Sequence, residues 1–230
     1  MTSIPFPRRA RGILDAIVNV ALVGAIVAAC AVIVRRDLRS APAAEATSSA
    51  KYVAEWKAHR AEGITVGRVD APIQIVELAD FECPACRLFH QTLSEVRPSL
   101  RDSIAVTFIH FPLAYHSQAL RAATAAECAA TQGRFAEYAD SLFHNQHLLA
   151  EGLYAKLART VGVSDHAAFK RCLSQPDTSA RIRAGIAVGA AMGLEATPTI
   201  LINGWRQRLP PNNPSNLDSA IRLALTATRP

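Results

Sequence analysis

One short segment constrains this chain more than any other: Cys-Pro-Ala-Cys at residues 83–86. Residues 73–78 before it form an apolar run that predicts a buried strand, and residues 87–100 after it carry apolar side chains at helical spacing. Strand, Cys-x-x-Cys and helix in this order are typical of thiol–disulfide chemistry. The order predicts that Cys83 reacts first and that Cys86, one turn inside the helix, is its less exposed disulfide partner.

The start of the predicted helix explains why Cys83 is the reactive cysteine. Pro84 suits the first helical position, because its missing N–H would have no partner there and its φ is already helical. Cys83 then occupies the N-cap, where free backbone N–H groups and the helix dipole favour a thiolate. Two other interpretations of the pair stay open at this point. They are a structural disulfide and half of a zinc site, although no second Cys or His pair at short spacing follows.

Composition and charge narrow the class of protein. The chain has 230 residues, half of them hydrophobic, which is enough for one good-sized domain with a real core. Its net charge of +6 comes mostly from residues 1–40, which hold six arginines and two aspartates. These arginines flank an apolar run, as they do at a membrane. Because residues 51–230 have no basic cluster or aromatic ladder, we expect no nucleic-acid partner.

The N-terminal apolar run predicts a single transmembrane helix. Residues 13–34 contain only Asp15 and Asn19 as polar residues, and a run of this length spans a bilayer. We expect residues 1–12 in the cytoplasm and residues 35–61 as a tether with a short helix. Because arginines flank the run on both sides, the positive-inside rule favours neither orientation clearly. The orientation therefore follows from the cysteines beyond the run, which suit an oxidising compartment.

Two alternatives to a retained anchor stay open. A signal peptide could be cleaved at the Ala-x-Ala sequences of residues 41–46, although the apolar run is long and two arginines intervene. A lipoprotein signal could be cleaved before Cys30, although apolar residues continue after it. Every version delivers the domain across the membrane.

The remainder of the chain has the periodicities of an α/β fold. In order, it predicts strands at 73–78 and 104–111, helices at 117–131, 134–144, 151–160, about 165–173 and 177–192, strands at 199–202 and 205–209 joined by an Asn203-Gly204 turn, and a last helix that starts at a Ser215-x-x-Asp218 box. A short helix carrying Tyr52 and Trp56 is expected before the first strand. We therefore expect a mixed sheet with an inserted helical subdomain at about residues 114–192, within a domain of residues 62–230.

These residues resemble the DsbA-type thiol–disulfide oxidoreductases, a family with a thioredoxin fold and a helical insertion. The likeness runs from about Gly63 to Leu225. It is carried by Asp70-Ala71-Pro72, Phe81-Glu82-Cys83-Pro84-Ala85-Cys86, Phe111-Pro112-Leu113 with His116, Ala126-Glu127-Cys128-Ala129, Gln132-Gly133-Arg134-Phe135, and Gly193 through Thr197-Pro198-Thr199 to Asn203-Gly204. The resemblance implies a thioredoxin-like mixed sheet behind the membrane anchor.

The resemblance also implies roles for particular residues. Cys83 is the nucleophile, Cys86 its resolving partner and Glu77 the acid beneath the pair; the sequence alone leaves open that Glu77 is an ordinary acid at a strand edge. Pro198 matches the family's cis-proline, and Thr197 before it would present its backbone to substrate. The Pro-Ala dipeptide departs from the Pro-His of the best-known members. The departure removes one donor to the thiolate and predicts a weaker oxidant.

Cys128 and Cys172 fall in two predicted helices of the insertion. Their neighbours are apolar at helical spacing, so we expect both sulfurs in the core of that subdomain. Two buried free thiols would act as small hydrophobes. In an oxidising compartment, and by the resemblance, a structural disulfide is expected instead.

Together these features predict a membrane-anchored, extracytoplasmic thiol–disulfide oxidoreductase. It would exchange disulfides with cysteine-containing protein substrates and be reoxidised by a membrane redox partner, with no metal or organic cofactor implied. Two alternatives remain. One is a reductase or isomerase that a membrane electron donor keeps reduced, and the other is a non-catalytic binding protein or chaperone that uses the fold as a scaffold.

Overall fold

Most of the described part of the chain begins at Lys51, within the predicted tether and short helix. The computed structural model describes Leu22, Gly24 and residues 51–100, 102–175 and 179–228. The chain divides into two compact units after residue 48, and the fold is that of the second unit. Apart from Leu22 and Gly24, the predicted anchor lies outside the described residues, as do the predicted cleavage sites. Within the described ranges no helix is long and apolar enough to cross a membrane.

From residue 51 onward, the described chain alternates strands and helices. In order they are β1 (Lys51–Tyr52), α1 (Trp56–Ala61), β2 (Ile64–Val66), β3 (Ile73–Ala79), α2 (Pro84–Leu100), β4 (Ile104–His110), α3 (Ala119–Ala130), α4 (Phe135–His144), a 3-10 helix (Gln146–Leu148), α5 (Glu151–Thr160), α6 (His166–Leu173), α7 (Ala180–Ala191), β5 (Thr199–Ile202), β6 (Trp205–Arg206) and α8 (Pro214–Thr226).

The described strands form one mixed, six-stranded sheet in the order β1-β6-β5-β3-β4-β2. β3 and β4 lie side by side and parallel, with α2 as the crossover between them, and the other pairs are antiparallel. Every residue of β3 and β4 is buried. Burial on both faces is the reason that both segments are almost continuously apolar. The predicted strands at 73–78 and 104–111 are confirmed to within one residue.

Helices cover both faces of the sheet. On one face α2 and α8 pack over Ile75, and on the other α1 and α7 pack over Val76. Side chains along β3 alternate between these two apolar clusters, as they must on a strand. The alternation puts Glu77 on the same face as Ile75, under α2.

Helices α3 to α6 form an inserted subdomain whose apolar core continues onto β4 and the segment after β3. Tyr138, Tyr154 and Phe169 are fully buried in that core. A disulfide joins Cys128 of α3 to Cys172 of α6, whose Cα atoms lie 5.8 Å apart. The mixed sheet with a helical insertion is therefore confirmed, although α7, predicted as part of the insertion, packs chiefly on β4.

The predicted turns and helix ends are mostly present. Gly133, Gly162 and Gly193 each follow a helix and have a positive φ. Asn203 and Gly204 between β5 and β6 have φ of 49° and 91°. Two successive positive φ values are what a two-residue turn between right-twisted strands requires.

Three boundaries near the edges of the sheet differ from the expectation. The predicted short helix that was to carry Tyr52 and Trp56 begins only at Trp56, because Tyr52 pairs with Trp205 across β1 and β6. The predicted return strand at 205–209 ends at Arg206. The edge strand β2 was not predicted at all; it pairs with β4.

The start of the last helix was predicted two residues too late. α8 begins at Pro214, which is preorganised for the first helical position. The N-cap is Asn213, whose side chain accepts a hydrogen bond from the Asn216 N–H at 2.9 Å. Ser215 therefore lies inside the helix, and the Ser215-x-x-Asp218 box is wrong.

Candidate active site

β3 leads directly into the turn that carries the two cysteines. The turn occupies residues 80–83, and α2 begins at Pro84, so Cys83 stands immediately before the first helical residue. Both cysteines are free thiols. Cys83 is 6% exposed, whereas Cys86, one turn further along, is fully buried. The two sulfurs thus differ in access in the expected direction.

The surroundings of Cys83 favour a thiolate. The Cys86 thiol hydrogen-bonds the Cys83 sulfur and, with the backbone N–H groups of Cys86 and Ala85 at the helix start, lowers the pKa of Cys83 from 9.0 to about 5, against the opposing effect of burial. When protonated, the Cys83 thiol donates to the Thr197 carbonyl oxygen at 3.3 Å. At neutral pH Cys83 is therefore ionised.

Cys86 has the opposite environment. Burial, the hydrogen bond with Cys83 and the charge of Glu77 all raise the pKa of Cys86 above its ordinary value. The two thiols are thus pushed apart in acidity. Cys83 is fit to be nucleophile and leaving group, and Cys86 holds its proton until another group removes it.

Glu77 lies beneath the cysteine pair in the middle of β3. It is 1% exposed, its neighbours across the sheet are Phe108 and Ile200, and its Oε1 has no hydrogen-bond partner. Burial, with a contribution from Cys83, raises the pKa of Glu77 from 4.5 to about 8. The alternative of an acid facing solvent at a strand edge is therefore wrong, and Glu77 carries a proton at neutral pH.

A small cavity of about 30 Å³ adjoins Glu77, between α2, α4 and the β2 side of the sheet. Its polar lining includes His90, Arg97 and Asp140. The His90 Nε2 lies 2.8 Å from the Asp140 Oδ1. A cavity of this size has room for a water molecule, which would connect the buried carboxyl to polar groups nearer the surface.

Asp80 holds the turn in shape, a role that the sequence analysis missed. Its fully buried carboxylate accepts hydrogen bonds from the Glu82 N–H at 2.7 Å, the Leu113 N–H at 2.9 Å and the His116 Nδ1 at 2.8 Å. An acid at the end of a buried strand, directly before the Cys-x-x-Cys segment, is the feature that could have indicated it.

The inserted subdomain also contacts the turn. The Glu82 carboxylate accepts from the Gln118 N–H at 2.6 Å. The Gln146 side chain donates to the carbonyl oxygens of Phe81 and Cys83. No sequence pattern marks Gln146, because its partners are more than sixty residues away.

The loop before β5 completes the site. The Thr197–Pro198 peptide bond is cis, as the resemblance implied. β5 pairs with β3 so that Thr199 lies opposite Leu78, and this register brings Thr197 to Cys83 across 114 residues of sequence. Of the predicted site residues, the structure brings Cys83, Cys86, Glu77 and the Thr197–Pro198 loop together. Cys128 and Cys172 lie apart from them, in the insertion.

Within the ranges that the structure describes, the two cysteines do not belong to a larger metal-ligating cluster. Among the described residues there is no group of three or more His, Cys, Asp or Glu side chains that could hold a metal ion. The zinc interpretation of the Cys-x-x-Cys pair thus finds no further ligands in the described part of the chain.

The fold and the site together define a thioredoxin-fold protein whose Cys-x-x-Cys pair stands at a helix start beside a cis-proline loop. The sequence profile of the thioredoxin family matches residues 59–222. The chain belongs to that family.

Solved structures share this architecture. BdbD from Bacillus subtilis, in its oxidised form, superposes with a TM-score of 0.64 at 20% identity and covers 73% of this chain and 95% of its own. Alpha-DsbA1 from Wolbachia pipientis superposes with a TM-score of 0.60 at 20% identity, over 70% of this chain and 89% of its own. At these identities the likeness establishes the fold.

The chain is also similar to part of a curated protein that is named as an ion antiporter. The Na(+)/H(+) antiporter NhaA 1 of Mycolicibacterium gilvum is 36% identical over 154 residues, which are 63% of this chain and 24% of the antiporter. The chain thus spans about a quarter of the length of the curated relatives that it matches.

Proposed function

We propose that this protein is a thiol–disulfide oxidoreductase that exchanges disulfides with cysteine-containing protein substrates through its Cys-Pro-Ala-Cys segment. The observation that carries the proposal is the opposite tuning of two neighbouring thiols. The pKa of Cys83 is lowered to about 5, whereas that of the buried Cys86 is raised. Such asymmetry serves exchange chemistry and has no use in a purely structural disulfide.

In the oxidising direction, a substrate thiolate attacks the Cys83 sulfur of the Cys83–Cys86 disulfide. That bond breaks, Cys86 leaves as a thiolate, and a mixed disulfide joins the substrate to Cys83. A second substrate thiolate then attacks the substrate's own bonded sulfur, and Cys83 leaves. The substrate loses two electrons and two protons and gains a disulfide, and the protein becomes a dithiol. The low pKa of Cys83 makes it a good leaving group in this last step.

Glu77 supplies the proton that the Cys86 thiolate needs when it leaves. With a pKa of about 8 it holds a proton at neutral pH, and once that proton has left, the carboxylate raises the pKa of Cys86. In reoxidation the transfer runs backwards: the carboxylate takes the Cys86 proton and so prepares that thiol for attack. The small cavity that Glu77 lines together with His90 and Asp140 offers a route by which this proton can be exchanged.

The Thr197–Pro198 loop is the proposed substrate-binding element. The Thr197 carbonyl lies beside the Cys83 sulfur and can accept a hydrogen bond from an N–H of an extended substrate segment. Hydrogen bonds to the substrate main chain do not depend on the substrate's side chains, so they suit an enzyme with many protein substrates.

We further propose that the domain works outside the cytoplasm, anchored by residues 13–34 and reoxidised by a membrane redox partner. The Cys128–Cys172 disulfide supports an oxidising compartment. The curated relatives named as ion antiporters support a membrane location, since an ion antiporter works in a membrane.

The test is single-turnover exchange between the oxidised full-length chain and a peptide with two cysteines. The wild type should convert the peptide dithiol to its disulfide, and Cys83→Ser should not. If the wild type exchanges nothing while a Cys83→Ser/Cys86→Ser variant still binds protein substrates, the chaperone alternative replaces the proposal.

The direction of exchange in the cell needs a separate measurement. Acid trapping followed by alkylation should find the Cys83–Cys86 pair mainly as a disulfide. A pair found mainly as a dithiol would assign the protein to the reductases or isomerases.

A further inference from the structure

One side chain of the helical insertion hydrogen-bonds the active-site turn twice. Gln146, the first residue of the 3-10 helix, donates from Nε2 to the Phe81 carbonyl oxygen at 2.8 Å and to the Cys83 carbonyl oxygen at 2.9 Å. Both partners can only accept, so the orientation of the amide is fixed and both N–H bonds of its NH₂ group are used. The two bonds join segments 65 and 63 residues apart in sequence.

These bonds act on the charge of the reactive sulfur. The Cys83 carbonyl belongs to the same residue as that sulfur, so the partial negative charge on its oxygen opposes a thiolate at short range. An N–H donated to the oxygen offsets that charge. The same oxygen also accepts from the Arg87 N–H of the helix at 3.2 Å. Gln146 is therefore a second donor, delivered from outside the helix.

We propose that Gln146 is a positioning residue of the active site: its amide fixes the turn before α2 and favours the thiolate form of Cys83. The inference rests on the proposed function and deepens it, because it gives the inserted subdomain a part in tuning the reactive cysteine. The Pro-Ala dipeptide places no donor side chain between the cysteines. Gln146 supplies a donor to the same turn from another part of the chain.

Replacing Gln146 removes none of the other groups that act on Cys83. Cys86 on α2, Glu77 on β3 and Thr197 before β5 interact with it directly. The remaining titratable side chains around the turn are Asp80, Glu82 and His116. A change measured at Cys83 after substitution of Gln146 is therefore due to the amide or to the geometry that it holds.

The test measures the pKa of Cys83 in the full-length chain, with the Cys83–Cys86 pair reduced, from the ultraviolet absorbance of the thiolate against pH. Gln146→Met keeps the length of the side chain and removes the donor. We expect the pKa of Cys83 to rise by about half a unit or more. Gln146→Lys restores a donor, and should return the pKa to the wild-type value or below it.

Gln132→Met is the matched control. Gln132 lies in the same subdomain, and its amide joins the end of α3 to Ser164 and Asp165 before α6. Its bonding partners lie outside the active-site turn, so Gln132→Met should lower the melting temperature and leave the pKa of Cys83 unchanged.

Equal values of the Cys83 pKa in Gln146→Met and Gln132→Met would overturn the inference. If Gln146→Met does not fold, Gln146→Asn takes its place, because an amide shorter by one methylene cannot hold both carbonyls, and the same comparison decides. The readout needs no substrate. Failure of the exchange assay would therefore refute the proposed function without deciding this measurement, and the reverse also holds.

Discussion

At the scale of single residues, the reactivity of the site depends on where two sulfurs stand on one helix. Cys83 lies before the first turn of α2, beside free N–H groups, and Cys86 lies inside it without exposure. Alkylation of the reduced protein against pH should therefore give a midpoint of about 5 for Cys83. Mass spectrometry of each cysteine after a short pulse of reagent measures both midpoints. A midpoint for Cys86 below that of Cys83 would reverse the assigned roles.

The same asymmetry predicts which variant traps a substrate. Cys86→Ser leaves the Cys83 thiolate without a resolving partner, so mixed disulfides with substrate proteins should accumulate in cells. Cys83→Ser is the control and should trap none. Non-reducing gels with reduced duplicates separate the two outcomes.

Glu77 couples the stability of the fold to pH. Its pKa is raised from 4.5 in the unfolded chain to about 8 in the fold. Between these two pH values the folded protein retains a proton that the unfolded chain releases. Below pH 4.5 the carboxyl therefore does not lower the free energy of unfolding, and from there to about pH 8 it lowers it increasingly. Relative to wild type, Glu77→Gln should gain free energy of unfolding on the order of 4 kcal/mol between these limits. Denaturant unfolding of the reduced protein at several pH values measures the gain.

A matched control for Glu77→Gln is available on the surface. Glu137 of α4 is exposed and forms an ion pair with Arg134, one turn away on the same helix end. The same substitution there should change the free energy of unfolding by less than about 0.5 kcal/mol at every pH. If the two variants had the same pH profile, Glu77 would have no role as a buried proton carrier. Glu77→Gln should also slow release of the mixed disulfide, whereas the Glu137 variant should not.

At the scale of elements, α7 packs closely on β4 because it has no side chain at Gly185. A Cβ there would clash with the His110 carbonyl oxygen and come within 3.0 Å of the Ile109 side chain. Gly185→Ala should therefore destabilise the protein by about 1–3 kcal/mol. Gly152 of α5 has open space around its Cβ position, so Gly152→Ala should instead stabilise by about 0.5–1 kcal/mol. Urea unfolding of both variants checks the opposite signs.

The Cys128–Cys172 disulfide fixes two helices of the insertion to each other. The loop it closes has a sequence separation of 44, and the loop-entropy estimate for its removal is about 4 kcal/mol. Cys128→Ala/Cys172→Ala should lose stability of that order. Cys128 is fully buried, so the bond should survive a mild reductant that opens Cys83–Cys86. Two free thiols at these positions in the non-reduced, alkylated chain would contradict the assignment.

The elements that the sequence predicted well are those with local causes. Residues 73–78 are continuously apolar because both faces of β3 are covered, and Gly162 marks a helix end because of its own backbone. β1 was missed because two residues pair with a partner about 150 positions later, which no local pattern records. The start of the last helix was predicted too late because two possible N-caps, Asn213 and Ser215, lie two residues apart. The structure uses Asn213, which is followed by a proline at the first helical position.

The residues of the site likewise divide into those that a local pattern predicts and those that it does not. Cys83, Cys86 and the acid at Glu77 could be predicted, because they lie within ten residues of one another on a recognisable strand, turn and helix. The contact of Thr197 with Cys83 needed the resemblance, since it depends on how β5 pairs with β3. Gln146 could not be predicted, because its two bonds exist only once the insertion has folded onto the turn.

At the scale of the whole molecule, the reactive sulfur lies where three distant parts of the chain meet. The turn after β3 carries it, the loop before β5 contributes the Thr197 carbonyl, and the insertion contributes Gln146. Local unfolding of any of these parts would change the acidity of Cys83. The inserted subdomain thus forms part of the site. Because Gln146 belongs to it, a disulfide that stabilises the subdomain also stabilises this contact with the active-site turn.

The location of the whole molecule follows from the reactive cysteine, the disulfide of the insertion and the N-terminal segment. The low pKa of Cys83 suits an oxidant, and a disulfide in the insertion persists only where thiols are oxidised. Residues 13–34 have the length and composition of a bilayer-spanning segment. The full-length chain should therefore sediment with membranes and resist extraction by alkaline carbonate. A chain that starts at Ser49, where the second compact unit begins, should stay in the supernatant.

Orientation is tested in intact cells with a thiol reagent that cannot cross the membrane. In the Cys86→Ser variant Cys83 is left without its disulfide partner, and its thiolate at neutral pH reacts quickly, so it should be labelled before the cells are opened. A cytoplasmic protein with an exposed cysteine is the control and should be labelled only after permeabilisation. If Cys83 behaves like that control, the domain faces the cytoplasm. The thiol-rich cytoplasm would then keep the Cys83–Cys86 pair reduced, and a role as an oxidant would be excluded together with the location.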